Sequence, residues 1–219
     1  PAQLVRNARD HGVEVRPADV NHSQWMSTLE AVQESTASGR FALRLGFHML
    51  RGMSHAQAES IAGARSKGPF NSLDDFCRRT GLSRAAATRL AKAGAFDSLG
   101  LDRRNALWHA LAEKQQPLPL PPMSPAQEVL ADYRTAGLSL RAHPMTFLRE
   151  RLEQEGVARA ESLKTWPNGR PVRVAGIVLV RQRPGTAKGI TFVTLEDETG
   201  QANLIIRPDV WQRWRAAAI

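Results

Sequence analysis

The sequence predicts a mainly α-helical, multidomain fragment that ends in a partial β-barrel. Two observations support the helical part: short segments with helical apolar spacing are separated by single glycines, and five prolines in Gln115–Pro125 mark a linker after them. A third observation supports the barrel, because apolar residues alternate with a period of two from Val172 onward. With 219 residues, 42% of them apolar, the chain can form two or three small cores.

The first segments combine a short helix with an extended stretch. A helix is expected to end at Gly12, and Val13–Pro17 should be extended. Ser54 is the expected N-cap of a helix that reaches Arg65, and Asn71 or Ser72 caps the next one, which stops at Gly81. The further predicted helices are Ser83–Gly94, Asp102–Lys114, one that starts near Ala126, and one with Pro144 at its first position.

The charge balance favours a polyanionic partner. Thirty Lys and Arg against 21 Asp and Glu give a net charge of +9, which suits nucleic acid or an anionic membrane surface. The apolar run Ala175–Val180 is far too short to span a membrane. Since the chain opens with Pro1 and has no signal segment, we expect an internal piece of a larger cytoplasmic protein.

Metal and disulfide chemistry are not expected in this chain. Cys77 is the single cysteine, so it can form neither an internal disulfide nor a cysteine zinc site. The six histidines are scattered without the spacing of metal ligands. The sequence therefore predicts no cofactor for this fragment.

Two pairs of helices are joined by short glycine turns. The first turn holds Gly52, and the second holds Gly94 and Gly100. Such turns can expose backbone N–H groups to a DNA phosphate without sequence preference, although a glycine that merely makes the corner is the simpler interpretation. Between Arg65 and Arg104, nine basic residues stand against four acidic ones. The candidate DNA contacts in this region are Gly52, Ser54, Arg89, Lys92, Gly94, Arg103 and Arg104.

The last fifty residues predict three strands. Val172–Gln182, Ile190–Glu196 and Gln201–Ile206 follow one another in the order of the first three strands of an OB-fold, the small barrel that binds single strands. The candidate contacts for a single strand are Arg181, Arg183, Lys188 and Phe192, with core packing as the alternative for the phenylalanine ring. The acidic turn Glu196, Asp197 and Glu198 is expected to be structural, with Asp197 accepting from backbone N–H groups.

Leu50–Gly100 resembles the tandem helix-hairpin-helix segment of the bacterial DNA polymerase III α-subunit family. The order and spacing of Gly68–Cys77 and Leu90–Gly100 carry the resemblance. The opening residues are similar to the end of that family's fingers region, and Tyr133–Leu152 is similar to the connector after the hairpins. The residues of Val13–Ser23 and of Arg181–Gly189 most resemble the error-prone branch of this family, the damage-tolerant polymerase of SOS mutagenesis.

The resemblance implies a division of the chain. Residues 1–40 would end the fingers region, 41–114 would form the tandem helix-hairpin-helix domain, and 115–125 would be the linker. Residues 126–170 would form a helical connector, and 171–219 an incomplete OB-fold.

The resemblance also implies an enzyme and its partners. The parent would be a DNA-directed DNA polymerase that holds duplex and single-stranded template, with Mg²⁺ bound in a palm domain outside this chain. Its accessory proteins would be an inactive Y-family-like protein and a RecA-like protein. Gln115–Pro122 occupies the place of a sliding-clamp motif but lacks an aromatic residue, so contact with the clamp would be indirect.

The chain departs from the family pattern in its first hairpin. The usual Gly-x-Gly is Gly52-Met53-Ser54 here, and serine tolerates positive φ less readily than glycine. Phosphate binding is therefore expected more firmly of the second hairpin. Two other interpretations stay open: a replicative α subunit, and a non-catalytic scaffold that carries hairpin and OB modules alone.

Overall fold

The computed structural model describes residues 2–32, 41–111 and 120–218. The chain forms two compact units, residues 1–141 (unit 1) and 142–219 (unit 2). Their boundary lies inside the predicted connector 126–170, so the structure divides that segment between the two units.

Unit 1 is mainly helical and has a small sheet near its start. Its helices are α1 (Ala2–Asp10), α2 (His55–Arg65), α3 (Leu73–Thr80), α4 (Arg84–Lys92), α5 (Arg103–Leu111) and α6 (Pro125–Ala136), with 3-10 segments at Phe47–Met49 and Asp97–Leu99. Its strands are β1 (Val15–Arg16), β2 (Thr28–Ala31) and β3 (Phe41–Arg44). Strand β3 lies between the other two, parallel to β1 and antiparallel to β2. The sequence predicts only the first of these strands.

The helix boundaries follow from their capping residues. The Ser54 side chain accepts from Gln57 N, and the Gln57 side chain accepts from Ser54 N, which closes a capping box at the start of α2. The cap of α3 is Ser72 rather than Asn71, and Gly81 ends that helix. These start and stop signals are confirmed. Residues 112–119 lie outside the described residues; they include the end of the predicted helix, the first five residues of the predicted linker and most of the clamp segment.

A series of aromatic rings organises the core of unit 1. Phe70, Phe76 and Phe96 are buried, and the first and last rings each lie 5.1 Å from Phe76 in edge-to-face contact. Ile61 of α2 and Leu90 of α4 are fully buried in the same cluster. Because this cluster joins α2, which follows the first glycine turn, to α4 and the second glycine turn, the core fixes the two hairpins against each other.

Unit 2 contains a three-stranded antiparallel sheet. Its elements are α7 (Arg149–Gln154), β4 (Val157–Ala158), β5 (Arg173–Val174), β6 (Ile177–Gln182), β7 (Thr191–Glu196), β8 (Gln201–Ile206) and α8 (Pro208–Ala218), with 3-10 segments at Pro144–Leu148, Ala160–Lys164 and Gly185–Ala187. Strands β6, β7 and β8 are the three strands that the alternating pattern predicts, and β7 is central. The register shifts between Val178 and Val180. The fold class is confirmed: hairpin-linked helices precede an OB-like sheet, which does not close into a barrel within residues 120–218.

The acidic turn after β7 is a structural element of unit 2. Asp197, which is buried, accepts from Thr199 N at 2.8 Å and Gly200 N at 3.0 Å, as predicted, and also from Ala160 N at 2.8 Å. Burial opposes its ionisation, but hydrogen bonds from Thr199, Ala160 and Gly200 outweigh burial and lower the pKa of Asp197.

The turn is also held by a buried arginine that the sequence does not reveal. The Arg149 Nη2 lies 3.1 Å from Asp197 Oδ2 and 3.0 Å from Glu198 Oε2. Hydrogen bonding to Glu198 raises the pKa of Arg149 despite burial. Burial disfavours the charged form of Glu198, but the hydrogen bond from Arg149, a backbone hydrogen bond and the charge of Arg149 together lower the pKa of that carboxyl.

The described residues contain neither a membrane-spanning helix nor a cluster of metal-binding side chains. No helix among residues 2–32, 41–111 and 120–218 is long and apolar enough to cross a membrane. In the same part of the chain, no group of three or more His, Cys, Asp or Glu side chains could hold a metal ion.

Candidate nucleic-acid interface

The first hairpin joins the 3-10 segment Phe47–Met49 to α2. Gly52 is exposed, and its φ of 78° lies in the left-handed region that favours glycine. The Arg51 N–H donates to Thr135 O at 2.8 Å, which fixes the turn to α6. Met53 is buried, whereas Ser54 is exposed and serves as the N-cap of α2.

Arg89 of α4 lies over this first hairpin. A Cβ placed on Gly52 would stand 3.2 Å from Arg89 Nε, so the absent side chain makes room for the guanidinium. Arg89 itself is exposed. The structure thus brings together Gly52 and Arg89, which the sequence assigns to different hairpins. The exposed backbone of Gly52 and the basic side chain of Arg89 form one surface.

The second hairpin joins α4 to the 3-10 segment Asp97–Leu99. Gly94 has a φ of 72° and is half-buried, and the Ala95 N–H donates to Leu90 O at 3.0 Å. A Cβ on Gly94 would lie 3.2 Å from Arg103 Nη2. An arginine therefore lies against the glycine of each hairpin, but the two arginines differ in their exposure.

Arg103 is buried, which corrects its assignment as a DNA contact. It is 6% exposed, and its Nη1 donates to Glu128 O at 2.8 Å and lies 3.1 Å from Glu128 Oε2. Its Nη2 bonds to Asp132. Because two carboxylates of α6 neutralise this guanidinium inside unit 1, its placement does not fit a phosphate contact.

The other two basic candidates of this region differ in availability. Lys92 is exposed at the end of α4. Arg104 is half-buried, and its Nη1 donates to Pro121 O at 2.8 Å. Lys92 therefore stays a candidate contact for DNA, whereas Arg104 is partly engaged in holding the segment before α6.

The candidates of the three-stranded sheet lie on two faces. Residues paired across antiparallel strands share a face, and Arg181 pairs with Val193, whereas Phe192 pairs with Gln182 on one side and Ile205 on the other. Arg181 and Phe192 therefore point to opposite sides of the sheet. One face of the sheet therefore cannot carry both candidates, and the pairing register that separates them was not visible in the sequence.

The turn between β6 and β7 carries the remaining strand candidates. Arg183 and Lys188 are exposed, and Arg183 Nη2 would lie 3.2 Å from a Cβ placed on Gly189. Phe192 is 39% exposed and its neighbour Ile205 is 67% exposed. The ring of Phe192 is thus partly open to solvent, where a base could stack on it.

Sequence reasoning missed the residues that fasten the second hairpin. Asp19 accepts from Ser98 N at 3.0 Å, and the Asn21 side chain bonds to both Phe70 O and Phe70 N at 3.0 and 2.7 Å. The adjacent Asp-Val-Asn run was a usable signal, since short polar side chains of this kind bind backbone groups. Its partners lie 49 and 79 residues away and could not be named from the pattern.

Two glycine turns between short helices, each with an arginine against its glycine, form a tandem helix-hairpin-helix arrangement in unit 1. In agreement, the family described as "Helix-hairpin-helix motif" matches residues 12–106.

Nearly the whole chain is similar to error-prone DNA polymerases. It is 47% identical to the error-prone DNA polymerase of Anaeromyxobacter sp. (strain K) over 98% of this chain and 20% of that protein. It is 41% identical to error-prone DNA polymerase 2 of Rhizobium meliloti (strain 1021), over 100% of this chain and 22% of the relative. It is 44% identical to the error-prone DNA polymerase of Methylococcus capsulatus (strain ATCC 33009 / NCIMB 11132 / Bath), over 100% of this chain and 23% of the relative.

The predicted resemblance is confirmed: the chain is homologous to one region of the bacterial error-prone DNA polymerases. It spans about a fifth of the length of the curated relatives it matches.

Proposed function

We propose that this chain is a DNA-holding region of an error-prone DNA-directed DNA polymerase, used in damage-induced mutagenesis and translesion synthesis. The observation that carries the proposal is the exposed first hairpin, where Arg89 lies over Gly52 in a chain of net charge +9. Exposed amides and arginines suit phosphates, which carry no sequence information. The names of the relatives support the polymerase assignment.

The proposal gives the two units different ligands. Unit 1 would hold duplex through hairpin amides and exposed cations. Unit 2 would hold a single strand, with Phe192 as a stacking surface and with Arg183 and Lys188 close to the backbone. A polymerase at a primer end has duplex behind it and single-stranded template ahead, so both ligands would be present together.

The partners of the proposed polymerase follow from the family resemblance. An inactive Y-family-like protein and a RecA-like accessory protein would assist synthesis past lesions, and contact with the sliding clamp would be indirect. Gln115–Pro119, most of the segment that would hold a clamp motif, lies outside the described residues. The cell compartment would be the cytoplasm, where bacterial DNA is replicated.

Duplex binding should fall steeply with salt. With roughly four phosphate contacts, the slope of log K against log salt would be about −3.6, so affinity should drop on the order of 100-fold between about 50 and 200 mM salt. Fluorescence anisotropy with an end-labelled duplex measures this, and a second duplex of scrambled sequence should bind equally well. An affinity that does not change with salt would contradict the proposal.

The chain alone should not extend a primer. Two-metal nucleotidyl transfer needs carboxylates that converge on the ions, and Mg²⁺ is proposed to bind in a palm domain outside this chain. Within the chain, the neighbouring Asp74 and Asp75 are a poor substitute, because Asp75 is bonded to Arg78 at 2.8 Å and Arg79 at 2.9 Å. Gel analysis of a primed template with Mg²⁺ and all four dNTPs should show no elongation. Any template-dependent product would refute this assignment.

A further inference from the structure

Asp19 places a carboxylate inside the second hairpin. The residue is 4% exposed, and its Oδ2 accepts from Ser98 N at 3.0 Å in the 3-10 segment that follows Gly94. Its Oδ1 accepts from Asn21 N at 2.8 Å and lies 2.9 Å from His22 Nδ1. One of the amides that a phosphate could use at this hairpin is therefore already bonded to an internal anion.

The segment that carries Asp19 is fixed against the hairpin at further points. Val20 N donates to Ala95 O at 2.9 Å, and the Asn21 side chain donates to Ser98 Oγ at 3.1 Å. Val20 is fully buried. These contacts hold the carboxylate in place, so it is part of the hairpin's architecture and not a mobile surface charge.

The charges around the second hairpin also disfavour a phosphate. Asp97 and Asp102 are exposed beside the turn, and the guanidinium of Arg103 is neutralised by Glu128 and Asp132. A phosphate that approached Gly94 would thus meet carboxylates close to the turn, and its nearest arginine is already paired. Like charges at short range are unfavourable.

The first hairpin has the opposite character. Residues 51–58 contain no carboxylate, and the nearest one along the chain is Glu59, whose Oε2 lies 3.5 Å from His55 Nδ1 on the next turn of α2. The capping box uses only the amides of Ser54 and Gln57. The first four amides of a helix have no partner within the helix, so the N–H groups of His55 and Ala56 remain available to a phosphate. Among the described residues, no acceptor is bonded to the Gly52 N–H. Of these three residues, Gly52 lies against the exposed side chain of Arg89.

We infer that Asp19 serves as an internal anion for the second hairpin, and that the duplex phosphate binds at the first hairpin, at Gly52 and Arg89. This inference rests on the proposed duplex binding. It reverses the order expected from the sequence, where Ser54 in place of the family's glycine made the first hairpin the weaker candidate. In the structure that serine is an N-cap with extended backbone, so it needs no positive φ. The Gly52 N–H therefore stays available to a phosphate.

Amide NMR on the ¹⁵N-labelled 219-residue chain tests where the phosphate binds. On titration with a short unlabelled duplex, the amides of Gly52, His55 and Ala56 should shift, whereas that of Ser98 should not. The Asp19→Ala variant frees the Ser98 N–H, so the Ser98 amide should now shift when duplex is added. The Asp19→Asn variant keeps an acceptor oxygen, so its Ser98 amide should still not shift. Shifts confined to Gly94–Ser98 in the unaltered chain would overturn the inference.

Charge-neutralising variants provide a second test, which does not require any change at Asp19. Arg89→Gln should weaken duplex binding roughly eightfold at about 0.1 M salt and lower the salt slope by about 0.9, the effect of one phosphate contact. Lys92→Gln on the same helix should have a clearly smaller effect. Arg78→Gln, which removes an exposed charge on α3, is the matched control for net charge.

The outcomes separate the inference from the proposed function. Equal losses for the Arg89 and Lys92 variants, both larger than the Arg78 control, would mean that both hairpins bind phosphate, and the inference would be wrong. If the unaltered chain binds no duplex even at low salt, the proposed function fails, and the inference fails with it.

Discussion

Replacing Arg149 by methionine is expected to lower the free energy of unfolding of unit 2 by about 3–5 kcal/mol, the usual cost of removing one partner from a buried ion pair. Arg149 is 7% exposed and is bonded to both Asp197 and Glu198. Methionine fills a similar volume but leaves both carboxylates without a cation. Since whole domains are stable by only about 5–15 kcal/mol, much of unit 2 should become unstable.

Hydrogen exchange followed by mass spectrometry measures this loss separately in each unit. The amides of β7 and β8 should exchange much faster in Arg149→Met, whereas those of α2 and α4 in unit 1 should keep their protection. Arg151→Met is the matched control on the same helix, because its pair with Glu155 is largely solvent-exposed. Such a pair contributes about 0–1 kcal/mol. Loss of protection in unit 2 no greater than in this control would contradict the role given to Arg149.

The effect of the Arg149 variant should depend on pH. The pKa values of Asp197 and Glu198 are lowered in the folded chain, so their contribution to stability is present above the carboxyl pKa of the unfolded chain, about 4. It is lost as the pH falls through the lower folded values. The stability difference between the unaltered chain and Arg149→Met should therefore be largest near neutral pH and should shrink on acidification.

Local signals in the sequence were sufficient for most elements. Ser54 and Ser83 are the caps of α2 and α4, and the alternating apolar residues of Thr191–Glu196 form the central strand of the sheet. Each of these features depends on residues a few positions apart, which is why composition and periodicity can reveal them.

The features that were missed depend on partners far along the chain. The carboxylate of Asp132 lies 29 positions from Arg103, and Glu198 lies 49 positions from Arg149. An arginine at a hairpin looks the same in the sequence whether it faces DNA or a carboxylate of another helix. The face assignment of Phe192 likewise depended on strand register, because a shift of one residue moves a side chain to the other face.

Arg103 offers the sharpest comparison between the sequence-based assignment and the structure. If it is structural, Arg103→Met should lower the free energy of unfolding of unit 1 by about 3–5 kcal/mol, because Glu128 and Asp132 would be left with reduced solvent access and no buried cation. Adding Glu128→Gln and Asp132→Asn should recover part of this loss, since no unpaired charge then remains. Urea unfolding followed by exchange protection in α4 and α5 would measure both steps.

A DNA contact at Arg103 would give a different set of results. The Arg103→Met chain would keep its stability but bind duplex roughly eightfold more weakly at about 0.1 M salt, with a salt slope reduced by about 0.9. The triple variant would then bind no more weakly than the single one, because Glu128 and Asp132 carry no positive charge to lose. We expect the first set, because the guanidinium is 6% exposed and lies between α5 and two carboxylates of α6. A stable Arg103→Met chain with weakened duplex binding would restore the residue to the DNA interface.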